Sequence, residues 1–337
     1  MKKKFKQALI PVLSFCALFA LSSCGSSTPK EIAPSTVETV KEADTRETPI
    51  RIGLLRIDDS FPFYVAREEG LFDKYDVDVE LYDFGSARDQ STALMGGELD
   101  GVMTDPVVTA LSIKGGTDLR IVAMALGADP SEGRFLVVSS PESDIKTPED
   151  LIGKTIAISD NTMMDYLTTQ YLKALGIDRD AVNFVNMPDL MLRTTTIIEG
   201  GDIDAAILPD PLAAYTVSEG ANIVIDDTTF DENFSQSVVA LTKDCIDTEP
   251  EEVEAMLAAY NEAIEMINAD PEHYNALALT CANVPESLSD SYPTPTFTPH
   301  AIPDENCINA INEWMVSRGL LDQAFAYTDM VDTQFIK

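Results

Sequence analysis

Histidine is almost absent from this chain: 337 residues carry only His273 and His300. Cysteine is sparse as well. Cys16, Cys24, Cys245, Cys281 and Cys307 are the full set, and no two of them form a Cys-x-x-Cys pair. These shortages argue against a zinc site and against a histidine-based acid–base pair, so no metal and no cofactor is expected. Basic residues are few beside acidic ones, 23 Lys and Arg against 57 Asp and Glu, for a net charge of −34. Nucleic acid demands a basic stripe, which excludes it as a partner, and the same charge opposes electrostatic docking to anionic lipid. The acidic surplus serves solubility. No heptad repeat asks for a partner helix, so a monomer is the default.

What is present begins with an address. Lys2, Lys3, Lys4 and Lys6 precede an apolar run from Ala8 to Ala20, which is too short and wrongly flanked to span a bilayer. It ends in Leu21-Ser22-Ser23-Cys24, which resembles a bacterial lipobox. That resemblance implies a signal peptide over 1–23 and acylation of Cys24, which would hold the protein on the extracytoplasmic face of the cell membrane. More than one acyl chain, at about 0.8 kcal/mol per buried methylene, suffices for stable anchoring. Residues 24–49 are polar and too poor in apolar groups to offset ordering entropy, and they read as a flexible tether.

The folded body carries an internal repeat. Leu94-Met95-Gly96-Gly97-Glu98-Leu99-Asp100 leads through a short apolar strand to Thr104-Asp105-Pro106. Ile198-Glu199-Gly200-Gly201-Asp202-Ile203-Asp204 leads through another to Pro209-Asp210-Pro211. Both read as a helix end, a Gly-Gly turn, a strand and Asp-Pro. A separation of about a hundred residues suits a duplicated lobe rather than a solenoid. Around the repeats, strands and helices alternate from residue 50 onward, as α/β layers require. The pattern predicts helices at Phe63–Gly70, Ala87–Met95, from Thr147, from Asn161 to Leu175, Leu190–Glu199, Glu251–Ala269 and Ala310–Leu320. In Glu251–Ala269, Val253, Met256, Leu257, Tyr260, Ile264 and Ile267 form one apolar stripe, read as core. Residues 283–303, rich in Pro, Ser and Thr, read as an extended excursion. Arg134–Val138 and Val238–Leu241 read as crossings between lobes, giving a discontinuous lobe I (50–139 plus 240–337) and an inserted lobe II (140–239). Two connecting strands make a hinge that permits closure.

Several motifs in order resemble a known family. Val65-Ala66-Arg67-Glu68-Glu69-Gly70-Leu71-Phe72, then Val77-Asp78-Val79-Glu80, Gly96-Gly97-Glu98-Leu99-Asp100, Ile145–Lys154, Gly201–Ala206 and Ala269-Asp270-Pro271-Glu272 resemble the solute-binding proteins of the nitrate/sulfonate/taurine and thiamine-precursor class that serve ABC transporters. The resemblance covers about residues 50–275. It implies a type II periplasmic-binding-protein clamshell, two α/β lobes joined by two hinge strands, passing a small solute to an ABC permease with its ATPase. The sequence departs from the family at Arg56-Ile57-Asp58-Asp59 and at Pro209-Asp210-Pro211, so the solute does not carry over.

Ligands of open α/β folds bind outside the carboxyl ends of strands. By that rule the candidate ligand-binding residues are Arg56, Asp58, Phe61, Thr104, Asp105, Gly127, Asn161, Thr162, Met163 and Asp210. Each has a structural alternative: Asp105, Asp210, Asn161 and Thr162 as helix caps, Arg56 as the partner of Asp58 or Asp59, Phe61 as a helix staple. Gly96, Gly97, Gly200 and Gly201 are turn residues with positive φ, and Asp100 and Asp204 brace the loops. Cys281 and Cys307 flank the Pro-rich segment and are a possible disulfide. The mixture of Asp with Arg56, Arg134 and Arg193 favours an organic solute with both donors and acceptors, aminopyrimidine-like, with a sulfonate next. Two other functions stay open: a surface lipoprotein for sensing or adhesion, and an enzyme resembling the fungal thiamine-pyrimidine synthase. The latter would need a cysteine-rich segment and a histidine near the cleft, and this chain has neither there.

Overall fold

The computed structural model describes residues 49–336. The segments expected to be a signal peptide and a tether, including Cys24 and all but residue 49, lie outside the described residues. Among those described, no helix is long and apolar enough to cross a membrane.

The described residues form ten strands in two five-stranded sheets, with twelve helices over them. In chain order the strands are β1 (Ile50–Leu55), β2 (Val79–Phe84), β3 (Gly101–Thr104), β4 (Leu119–Met124), β5 (Phe135–Ser139), β6 (Thr155–Ile158), β7 (Asn183–Asn186), β8 (Ala205–Pro209), β9 (Asn222–Asp226) and β10 (Val238–Thr242). The sheet orders are β2-β1-β3-β10-β4 and β7-β6-β8-β5-β9. The two are the same arrangement. β1 pairs parallel with β2 and β3 as β6 does with β7 and β8. The antiparallel member of each sheet is the strand that arrives from the other lobe: β10 between β3 and β4, and β5 between β8 and β9. The sequence reading gave residues up to 139 to lobe I and began its second part at 240. The register corrects both edges, because Phe135–Ser139 bonds wholly within the second sheet and Val238–Val239 within the first. The chain crosses at residues 125–134 and 227–237.

The helices are α1 (Phe61–Glu68), α2 (Leu71–Lys74), α3 (Ala87–Met95), α4 (Pro106–Lys114), α5 (Met163–Ala174), α6 (Leu190–Glu199), α7 (Leu212–Ser218), α8 (Lys243–Thr248), α9 (Pro250–Ala269), α10 (Pro271–Cys281), α11 (Glu305–Ser317) and α12 (Tyr327–Met330). The stripe on α9 is buried as its spacing predicts, packed with Ile50, Ile52 and Leu54 of β1 and with Phe63 of α1. Burying a side chain of this kind stabilises by about 1.5–3 kcal/mol. A second cluster covers the outer face of the other sheet under α6 and α7. A third joins the lobes: Leu119, Ile121, Val238 and Trp314 pack in one cluster with Val137, Ile156, Tyr166 and Ile207. Tyr166 of α5 meets Trp314 of α11 edge to face at 5.5 Å. The start predicted at Thr147 is a single 3₁₀ turn, Pro148–Leu151. Its capping box from Thr147 and Asp150 is in place, but Ile152 leaves the helical region and Gly153 turns at φ +76°.

The repeat is mirrored in its bonding. Asp100 accepts from the backbone N–H of Arg51 at 2.8 Å, and Asp204 from that of Thr155 at 2.8 Å, so each ties a Gly-Gly loop to the first strand of its sheet. The left-handed residue differs between copies: Gly97 (φ +73°) in one and Gly200 (φ +70°) in the other, while Gly96 ends its helix at φ −75°. The expected disulfide is not formed: Cys281 and Cys307 are free thiols. Cys281 ends α10 in the core under the first sheet. Cys307 sits in the first turn of α11, where its Sγ bonds Gln236 Oε1. The two packing environments hold the thiols apart.

Candidate functional site

A cleft of about 1410 Å³ runs between the two sheets, and its walls are the segments that follow the strands. Leu55–Asp59 follow β1, Phe84–Ala87 follow β2, Thr104 and Asp105 close β3, and Ser159 follows β6. Pro188–Met191 lie beyond β7, and Pro209 and Asp210 close β8. Ligand-binding clefts of α/β proteins take this position because strand ends expose loops and helix N-termini together.

Of the residues singled out above, Arg56, Asp58, Thr104, Asp105, Thr162, Met163 and Asp210 line this cleft. Phe61, Gly127 and Asn161 are not part of the lining. Phe61 is 1 % exposed and packs under the first sheet, its ring 6.4 Å from that of Phe297. Gly127 belongs to the first crossing. Its N–H donates to Glu132 Oε2 at 3.0 Å, and its φ of +105° lets the chain pass the second crossing at Ser235. Asn161 takes φ +61° and its N–H donates to Asp165 Oδ2 at 3.1 Å, which turns the chain into α5. Asp105 is both a cap and a lining residue: Oδ1 accepts from Val108 N at 2.8 Å. Arg56 does not pair with its neighbouring acids. Its Nη2 donates to the carbonyl of Thr280 at 2.7 Å.

Two constellations form only in three dimensions. In the first, the hydroxyl of Tyr292 donates to Asp58 Oδ2 at 2.5 Å. The residue Asp58 is half-buried, yet Oδ1 is sealed and has no hydrogen-bond partner among the described residues. Burial pushes its carboxyl up to about 7, with Asp59 and Asp210 adding to the rise against the Tyr292 bond. Asp59 and Asp105 are raised for the same reason, Asp105 to about 6. The lobe I wall therefore presents carboxyls that are easily protonated. In the second, Arg134 grips Asp210 with two bonds, Nε to Oδ2 at 2.8 Å and Nη2 to Oδ1 at 3.2 Å. Asp210 also accepts from Ala214 N at 3.0 Å. The N-cap position of α7 is Pro211 rather than Asp210, yet the Asp210 carboxylate still serves an N–H of the first turn.

Tyr292, Asp59, Arg134, Ser159 and Met164 line the cleft and were not among the ten candidates. Tyr292 and its neighbours Ser291, Pro293, Pro295 and Thr296 belong to the Pro-rich excursion, which closes one side of the cleft. The only sequence signal for them was the unusual composition of 283–303. Among the described residues, no histidine and no cysteine lines the cleft.

The fold and the cleft together define a two-lobed α/β binding protein. The chain belongs to the NMT1-like family, whose model matches residues 43–282. A protein of Brachyspira hyodysenteriae whose name places it with ABC transporter periplasmic binding proteins is 25 % identical over 286 residues, covering 80 % of this chain and 76 % of its own length. The periplasmic aliphatic sulphonate binding protein SsuA of Escherichia coli shares the fold at a TM-score of 0.69 and 18 % identity, over 84 % of this chain and 97 % of that one. The alkanesulfonate-binding protein SsuA of Xanthomonas axonopodis pv. citri, solved with MOPS bound, does so at 0.68 and 16 %, over 85 % and 98 %.

Proposed function

We propose that this protein is the extracytoplasmic solute-binding component of an ABC importer, held to the membrane by acylated Cys24, and that it hands a small polar organic solute to a permease with its ATPase. The observation that carries this reading is the cleft itself. It is built from equivalent strand ends of two lobes with identical sheet order, hinged by two crossings, and lined by a few convergent polar groups set in a larger apolar surface, without a nucleophile–base pair among the described residues. The names of the relatives agree with it. The lining suits a solute with donors at one end, facing Asp58, Asp59 and Asp105, and acceptors at the other, facing the start of α5. An aminopyrimidine-like edge meets the first demand and a sulfonate the second.

Calorimetry of the purified protein against aminopyrimidines, alkanesulfonates, nitrate and amino acids tests the reading. One of them binding at micromolar Kd supports it; none binding below millimolar, with no solute co-purifying in native mass spectra, sinks it. Intact-mass analysis of the membrane fraction, with Cys24→Ser as comparison, tests the anchor: a diacyl or triacyl mass increment is expected in the native chain alone.

A further inference from the structure

Beneath the lobe II wall lies a cation without a counter-ion. Arg193 of α6 is 0 % exposed. All of its donors are taken by neutral groups. Nε donates to Met187 O at 3.0 Å, Nη1 to Ile207 O at 2.6 Å and to Met164 Sδ at 3.3 Å, and Nη2 to Ser159 Oγ at 2.8 Å and Met187 O at 2.5 Å. No carboxylate forms an ion pair with it among the described residues. Burial alone, with no acid acting on it, draws its pKa down to about 10, which leaves it charged at neutral pH. A buried charge is ordinarily paired, because desolvation costs several kcal/mol per ion (of that order).

The place of this charge is specific. Its partners are the residues just after β6 and β7, the middle of β8 and the first turn of α5, and two of them, Ser159 and Met164, line the cleft. Arg193 therefore stands one side chain behind the wall. On that wall Asp210 is held by Arg134, while Asp189 caps α6 through Leu192 N and keeps its charge; Asp165 of α5, outside the lining, is held by both Arg179 and Arg318, so the bases outnumber the acids there. The facing wall carries Asp58, Asp59 and Asp105.

We infer that Arg193 is a specificity-determining positioning residue: its fixed, uncompensated charge makes the Ser159–Met164 wall electropositive and selects solutes that bring an anionic group to it, with a donor group toward Asp58. This rests on the solute-binding reading above. Arg193 touches no solute, since its N–H groups are spent. It acts by field and by holding Ser159 and Met164 in place.

A thiol reads that field without any solute. In the full chain carrying Thr162→Cys, the pH dependence of iodoacetamide labelling, resolved by peptide, gives the thiol pKa at the wall. It is expected at least one unit below the ordinary value of about 8.5. Arg193→Met should raise it by about one unit, and Arg193→Lys should keep it within about half a unit of the starting value. A thiol at or above about 8.5 with Arg193 present overturns the inference. So does a lowered value that survives Arg193→Met, which would leave the helix terminus as its source. If Arg193→Met does not fold, Arg193→Gln takes its place, and the value with Arg193 present still decides. Ethanesulfonate and ethanol then serve as calorimetric probes: Arg193→Met should weaken ethanesulfonate at least tenfold and leave ethanol unchanged, with Arg193→Lys near the native affinity. A lowered thiol pKa that depends on Arg193, with no solute bound by any variant, would uphold the electropositive wall but sink the receptor reading and, with it, the selection of anionic solutes. Equal losses for both probes, or in both variants, would sink this one alone.

Discussion

Asp58 shows how burial sets a residue's chemistry. Its carboxyl titrates near 7 in the folded chain against 3.8 for a free one. Between those values the folded state holds a proton that the unfolded state has lost, so stability falls as pH rises through the window and levels off above it. At three units the cost at alkaline pH is at most about 4 kcal/mol. Asp58→Asn should therefore flatten the dependence of urea midpoints between pH 4 and 7 and raise stability at pH 8. An unchanged slope would show that the carboxyl is not the titrating group. Tyr260 offers a second test. It is fully buried beside Phe63 at 4.8 Å, and its hydroxyl has no hydrogen-bond partner among the described residues. Tyr260→Phe should leave stability unchanged or raise it by up to about 1 kcal/mol, whereas Tyr260→Ala should cost about 3–5 kcal/mol in urea melts. Asp105 capping α4 was legible in the sequence because a cap and Pro at N1 are local signals. The bond from Tyr292 to Asp58, across 234 positions, has no local signal at all.

At the scale of elements, local punctuation placed several helix ends: α4 starts on Asp105-Pro106, and α3 and α6 span the residues expected of them, whereas α7 starts only after Asp210-Pro211. Punctuation did not place the crossings. A strand that enters a sheet looks the same in sequence whether it belongs to the lobe behind it or the lobe ahead, because β5 and β10 are apolar runs either way. The crossings are zipped together: Ala125 N to Ser237 O at 2.8 Å, Ser237 N to Leu126 O at 3.1 Å, and Asn233 Nδ2 to Glu132 O at 2.7 Å. Gly127 permits this, since a Cβ there would lie 2.6 Å from Ser235 O. Gly127→Ala should destabilise by roughly 2–4 kcal/mol in chemical denaturation; a neutral effect would mean that the crossings need not touch. The thiols give a chemical check on packing. Denatured, unreduced protein should take alkylating label on both Cys281 and Cys307, and a Cys281–Cys307 linked peptide would contradict the structure.

The whole molecule is two copies of one sheet plan that share a core on one side of the cleft. A shared core joined by two bonded crossings favours rotation of one lobe on the other over independent motion. Small-angle scattering should show the radius of gyration fall on saturation with the solute that calorimetry identifies. No change with a solute bound would mean a cleft already closed.

The sequence by itself determined the alternation of elements, the duplicated loops, the α9 stripe and seven of the lining residues, because periodicity, capping and strand-end position are all properties of neighbouring residues. Only the tertiary structure decided which side chains share the cleft. It brought Tyr292 to Asp58 and Arg134 to Asp210, and it put an unpaired Arg193 behind Ser159. Those relations depend on how distant segments are brought together and how much water they exclude, and no window of the sequence carries either quantity.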